Sequence, residues 1–106
     1  MNPQFKRGIL ELLVLKTIKD RPRSGYEVME ALGDEIDIGL NTIYPVLRRL
    51  AKQGLFTVER KKGGIGAPRK IYKITPEGEK RLASFENEWE SFLRKVLKIL
   101  GGDDDD

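Results

Sequence analysis

Between Asn41 and Thr75 the chain switches from helical to strand periodicity and carries a glycine-rich hairpin, and few folds accept that order of elements. Ile43, Val46, Leu47 and Leu50 follow the i, i+3, i+4, i+7 spacing of a helix with one buried face. Asn41, Thr42, Tyr44, Arg48, Arg49 and Lys52 are left pointing outward. Pro45 has no amide hydrogen and belongs in the first turn of such a helix, which predicts an N-cap at Asn41 or Thr42. Gly54 closes it. Phe56 and Val58, then Tyr72 and Ile74, alternate with polar residues as strands with one buried face should. Lys61-Lys62-Gly63-Gly64-Ile65-Gly66-Ala67-Pro68-Arg69-Lys70 joins the two strands.

Three more helices frame this unit. The first is expected over about Pro3 to Asp20 and ends at Arg21-Pro22-Arg23, because proline disfavours helix at the preceding residue. Ser24-Gly25-Tyr26-Glu27 has the spacing of a capping box and starts the second helix. Its inward face is Val28, Ala31 and Leu32, flanked by Tyr26 or Met29, and Gly33 ends it. Thr75-Pro76 supplies N-cap and N1 of the last helix, which runs to Leu100 before Gly101-Gly102. The fold class is mostly α with a small β-hairpin, in the layout of a winged helix-turn-helix. The expected organisation is a winged helix-turn-helix unit over residues 1–75, a C-terminal dimerisation helix over 76–100, and an acidic tail over 101–106 to which no function is assigned.

Charge narrows the partner. From Arg48 to Lys73 nine basic residues face one acidic residue, Glu59, and before the tail of four aspartates (Asp103–Asp106) the chain holds twenty basic residues against thirteen acidic. A field of that sign suits phosphates. The third helix offers a reading face, while Lys61, Lys62, Arg69 and Lys70 at the base of the hairpin suit a wing lying along a backbone or reaching the minor groove. Without cysteine or histidine, thiol nucleophiles, thiolate and imidazole metal sites and the usual general base are all missing. The acidic residues are scattered over turns and outer faces, which argues against a hydrolase built on carboxylate pairs. Gly63-Gly64-Ile65-Gly66 leads into a strand, so no helix N-terminus is there to hold a nucleotide phosphate. No enzyme, cofactor or metal is expected. No apolar run approaches the roughly 20 residues that cross a bilayer, and the N-terminus lacks a signal-like segment, so the expected location is cytoplasmic, without a membrane partner.

Two helices carry more apolar surface than this small unit can cover. Ile9, Leu10, Leu12, Leu13, Val14, Leu15 and Ile18 are too dense for one stripe, so the first helix is either fully buried or shared between its own core and a partner subunit. Leu82, Phe85, Trp89, Phe92, Val96 and Ile99 are spaced 3, 4, 3, 4, 3, an a/d seam for pairing with another helix. A homodimer is expected, with Leu10, Leu13, Leu82, Phe85, Trp89, Phe92 and Val96 at its interface. Trp89 has two readings: dimer core, or, with Phe85 and Phe92, a platform for a small planar aromatic effector.

Leu12-Leu13-Val14-Leu15, Ser24-Gly25-Tyr26-Glu27, the ten residues from Asn41 to Leu50, Gly54-Leu55 and the run from Gly66 to Gly78 together resemble the PadR family of bacterial and archaeal transcriptional regulators, in its short form with one C-terminal helix. Asn41 stands where that family commonly has glycine and Ile71 where it commonly has tyrosine. The resemblance implies a homodimeric repressor whose recognition helices enter successive major grooves of a palindromic operator in double-stranded DNA. Some short-form relatives also bind flat aromatic drugs between their C-terminal helices at a tryptophan placed as Trp89 is, which leaves both readings of Trp89, dimer core and ligand platform, open. The alternative is a winged-helix protein-interaction module without DNA binding, which an acidic or neutral third helix would have favoured.

Overall fold

The computed structural model describes residues 3–33, 35–62 and 69–101, with side chains from Arg7 onward. The hairpin tip, 63–68, and the acidic tail from residue 102 lie outside the described residues. The elements are α1 (Pro3–Asp20), α2 (Gly25–Leu32), α3 (Leu40–Lys52), β1 (Phe56–Lys61), β2 (Arg69–Ile74) and α4 (Pro76–Ile99). The strands pair antiparallel from Phe56 opposite Ile74 to Lys61 opposite Arg69. A bridge at Arg23 extends this ribbon: its amide donates to the Tyr72 carbonyl at 3.0 Å and the Tyr72 amide donates to the Arg23 carbonyl at 2.8 Å. The turn between α1 and α2 is thereby tied to the hairpin.

Local chemistry explains most of the boundaries. At α2 the Ser24 hydroxyl accepts from the Glu27 amide at 3.2 Å while the Glu27 carboxylate accepts from the Ser24 amide at 2.8 Å. Chiefly that backbone hydrogen bond, aided by the Ser24 hydroxyl, Arg69 and Arg21 and opposed by desolvation, holds the Glu27 carboxyl below its ordinary value. Gly33 ends α2 at φ +57°. After α3 the Gly54 amide donates to Ala51 and the Leu55 amide to Leu50, both at 3.0 Å, and Gly54 takes φ +81°, which makes a Schellman motif with Leu50 and Leu55 both buried. Thr75 caps α4 by accepting from the Gly78 amide at 3.0 Å and itself donates to the Gly54 carbonyl at 2.7 Å. That pair of bonds ties the end of α3 to the start of α4.

The core joins all six elements. Val14, Leu15, Ile18, Val28, Ile43, Leu47, Leu50 and Leu82 are at most 1% exposed, and Leu10, Val46, Leu55, Phe56 and Tyr72 complete the cluster. Several expectations need correction. The N-cap of α3 is Gly39, without a side-chain cap, and Pro45 sits in the second turn, so the Asn41 carbonyl receives no helical hydrogen bond from residue 45. Of the expected inward face of α2, Val28 and Leu32 pack inward with Met29 flanking them, but Ala31 is exposed. Val58 is 44% exposed because the hairpin leaves the body of the molecule beyond Phe56. Leu10 and Leu82, expected at a subunit interface, are 5% and 1% exposed inside the subunit's own core, where α1 and the first turns of α4 pack together. No described helix is long and apolar enough to cross a membrane.

Candidate nucleic-acid interface

On α3, Asn41, Tyr44, Arg48 and Lys52 are exposed and Thr42 is half-buried. Arg49 does not share that face. Its Nε donates to Glu11 Oε2 on α1 at 2.9 Å, and its Nη2 lies 2.8 Å from the same oxygen, too far off line for a second hydrogen bond. The expectation that Arg49 meets DNA is therefore corrected: a part-buried charge held by a part-buried carboxylate fastens α3 to α1. At the hairpin base Lys61, Lys62, Arg69 and Lys70 are all exposed, with Lys61 opposite Arg69 and Arg60 opposite Lys70.

The α3 and hairpin sets are brought together by a cleft of about 430 Å³ lined by Ser24, Gly25, Tyr26, Tyr44, Arg48, Arg69, Lys70 and Tyr72. Arg48 comes from α3, Arg69 and Lys70 from β2, and the α2 start closes the third side. The cleft is therefore a positively charged notch between the helix and the wing. Burial pushes the Tyr72 hydroxyl above its ordinary value, neighbouring Tyr44 adds to this, and Arg48 opposes it, so Tyr72 stays a neutral hydrogen-bonding group near pH 7. Sequence reasoning missed Gly25, Tyr26 and Tyr72 as lining residues. The Ser-Gly-Tyr-Glu motif announced a helix start, and nothing in its spacing announced that this start would face Tyr44 and Arg48.

A second concavity, of about 230 Å³, lies between α1 and α4 and is lined by Leu12, Leu13, Lys16, Glu86, Trp89, Glu90 and Leu93. The Lys16 ammonium bridges it to Glu86 at 3.2 Å. Trp89 lies so close to α1 that a methyl group on Gly8 would stand 3.1 Å from its Cζ2, and it meets Phe92 edge to face at 5.9 Å. Phe85 is not in this groove: it packs against the core with the Arg81 guanidinium 5.4 Å from its ring centroid. Within one subunit, then, the three aromatic residues expected to form one platform are divided. Among the described residues no group of three or more acidic side chains could hold a metal ion.

The model of the family described as "Transcriptional regulator PadR-like family" matches residues 14–84, from the middle of α1 through the buried part of α4. This chain belongs to that family. A PadR family transcriptional regulator from Eggerthella lenta is 40% identical, with a TM-score of 0.81 over 92% of this chain and 86% of that one. The transcriptional regulator Rv3488 of Mycobacterium tuberculosis is 28% identical over 89% of this chain and 88% of its own length. Bacillus subtilis PadR, solved in complex with operator DNA, shares the fold at a TM-score of 0.68 and 23% identity, over 73% of this chain and 46% of that one. The PadR-like fold thus accounts for both the helix-and-wing face and the long last helix.

Proposed function

We propose that this PadR-like regulator acts in the cytoplasm as a homodimeric repressor that reads a palindromic operator. Its α3 enters the major groove, and the exposed base of its hairpin lies along the backbone. The observation that carries this reading is the basic notch in which Arg48 of α3 meets Arg69 and Lys70 of β2, since one stretch of duplex then contacts a reading helix and a wing together. Asn41, Thr42 and Tyr44 are the base-reading candidates. Arg48, Lys52, Lys61, Lys62, Arg69 and Lys70 are the phosphate-neutralising ones. The Bacillus subtilis relative, solved in complex with operator DNA, supports duplex DNA as the partner.

The dimer is proposed to form through α4 with help from α1. Past Trp89 the last helix exposes Phe92 (46%), Leu93, Leu97, Ile99 (83%) and Leu100, an apolar face that a second copy would cover. Leu13, Trp89 and Val96, each half-buried, continue it. A second reading, favoured by the α1–α4 groove, adds a flat aromatic effector seated on Trp89 beside the two-fold axis. A gel shift on the DNA upstream of the chain's own gene, with and without excess unrelated DNA, tests the first reading. The slope of log K against log salt should be about −5 or steeper, flattened by Lys61→Ala or Lys62→Ala. Binding unaffected by salt and by those changes would overturn it. Saturable quenching of Trp89 emission by planar dyes, one per dimer and abolished in Trp89→Ala, tests the second.

A further inference from the structure

The first residue of α2 stands against the outward face of α3. Gly25 is buried, and a methyl group placed on it would fall 2.5 Å from Tyr44 Cε1, 3.1 Å from Cζ and 3.2 Å from Cδ1. Carbon atoms in contact rest about 3.5 to 4.0 Å apart, so a side chain of any size here must displace that ring edge by about 1 Å or more. Neither backbone can give way. The α2 start is fixed by the reciprocal bonds of Ser24 and Glu27 and by the Arg23 bridge to Tyr72. On the other side α3 is fixed by Ile43, Val46 and Leu47 in the core and by Arg49 on Glu11. Movement is left to the Tyr44 ring, which is 38% exposed and has the open cleft beside it.

We infer that Gly25 is a positioning residue for operator discrimination: its bare α carbon seats the Tyr44 ring on the reading face, between the α2 start and Arg48. This rests on the DNA-reading face proposed above. A recognition side chain must be held within about 0.5 Å of its productive position, so a displacement of about 1 Å matters for reading bases. It matters little for folding. Gly25 does not take a positive φ, and alanine is a better helix residue than glycine, so the substitution is compatible with the local backbone.

The test uses the full chain and two duplexes: one enriched by the wild-type protein from a randomised pool, and a scrambled duplex of the same composition. Gly25→Ala should lose roughly tenfold of the preference for the enriched duplex, leave affinity for the scrambled one within about twofold, and melt no lower than wild type. In a Tyr44→Ala background the same change should do nothing further, because the ring it displaces is gone. Full preference in Gly25→Ala, an additional loss in the Tyr44→Ala background, or a lowered melting temperature would each overturn the inference while leaving the DNA-reading face standing. Failure of the wild-type chain to enrich any duplex would instead remove that face, and the inference with it.

Discussion

Leu82 and Ile99 lie on the same heptad seam of α4, yet one is 1% exposed and the other 83%. The first turns of α4 complete a core that α1, α2, α3 and the hairpin already enclose. The last turns extend past everything that could cover them. A sustained a/d pattern therefore records that a helix face is apolar along its length, without recording how many different neighbours share the work of covering it. Arg48 and Arg49 make the same point at closer range. One lines the basic notch, and the other is drawn onto Glu11 of α1.

Substitutions sharpen both contrasts. Leu82→Ala empties a closed site and should lower the unfolding free energy by about 2 to 5 kcal/mol in denaturant titration. Arg49→Met strands the Glu11 carboxylate and should cost about 2 kcal/mol. Arg48→Met should leave stability near wild type and, removing one phosphate contact from each subunit of the dimer, make the salt slope of operator binding shallower by about 2, an effect absent from Arg49→Met. If Arg49→Met flattened that slope equally, the distinction between the two arginines would collapse. Ser24→Ala should cost about 1 kcal/mol through the lost cap of α2.

Acid titration addresses the other half of that capping box. The folded Glu27 carboxyl lies below its ordinary value of 4.5, so its contribution is fully present above that value and is lost as pH falls through the lower, folded one. Glu27→Gln should therefore flatten the acid side of the stability profile, read from melts at successive pH values. The smallest effect on the subunit is expected at Ile99. In protein diluted below its dimer dissociation constant, Ile99→Ala should move unfolding by no more than about 0.5 kcal/mol, while sedimentation at higher concentration shows weaker assembly. A loss in the dilute subunit as large as that of Leu82→Ala would break the comparison between the two ends of the seam.

What could be read from the sequence follows how local the determining physics is. The bounds of α1, the Ser24 capping box, the buried face of α3 and the Thr75-Pro76 start of α4 depend on residues a few positions apart, and spacing alone reveals them. Gly39 displaced Asn41 and Thr42 as the N-cap because its carbonyl accepts from the Thr42 and Ile43 amides, which starts the helix a turn before Pro45, and the proline rule alone does not mark that start. Arg49 could not be told from Arg48, since its carboxylate partner is 38 positions away on another helix. The approach of Gly25 to Tyr44 and the cleft floor at Tyr72 are likewise products of tertiary packing. Within the sequence they appeared only as a helix-start motif and a strand residue.

Gly78 has a consequence that reaches far from where it sits. A methyl group there would run into the Leu55 carbonyl oxygen and lie 2.6 Å from Ile74 Cγ1, so the first turn of α4 is pressed flat against the end of the hairpin and the chain following α3. That contact sets the heading of a 24-residue helix, about 36 Å long. A tilt of about 5° at its base would carry its far end sideways by about 3 Å, close to one base-pair step of duplex. In the proposed dimer the far ends are where the two subunits join, so the helix works as a lever whose pivot is a hydrogen atom in place of a side chain. In that proposed dimer, any change of heading at Gly78 would change the separation of the two reading heads.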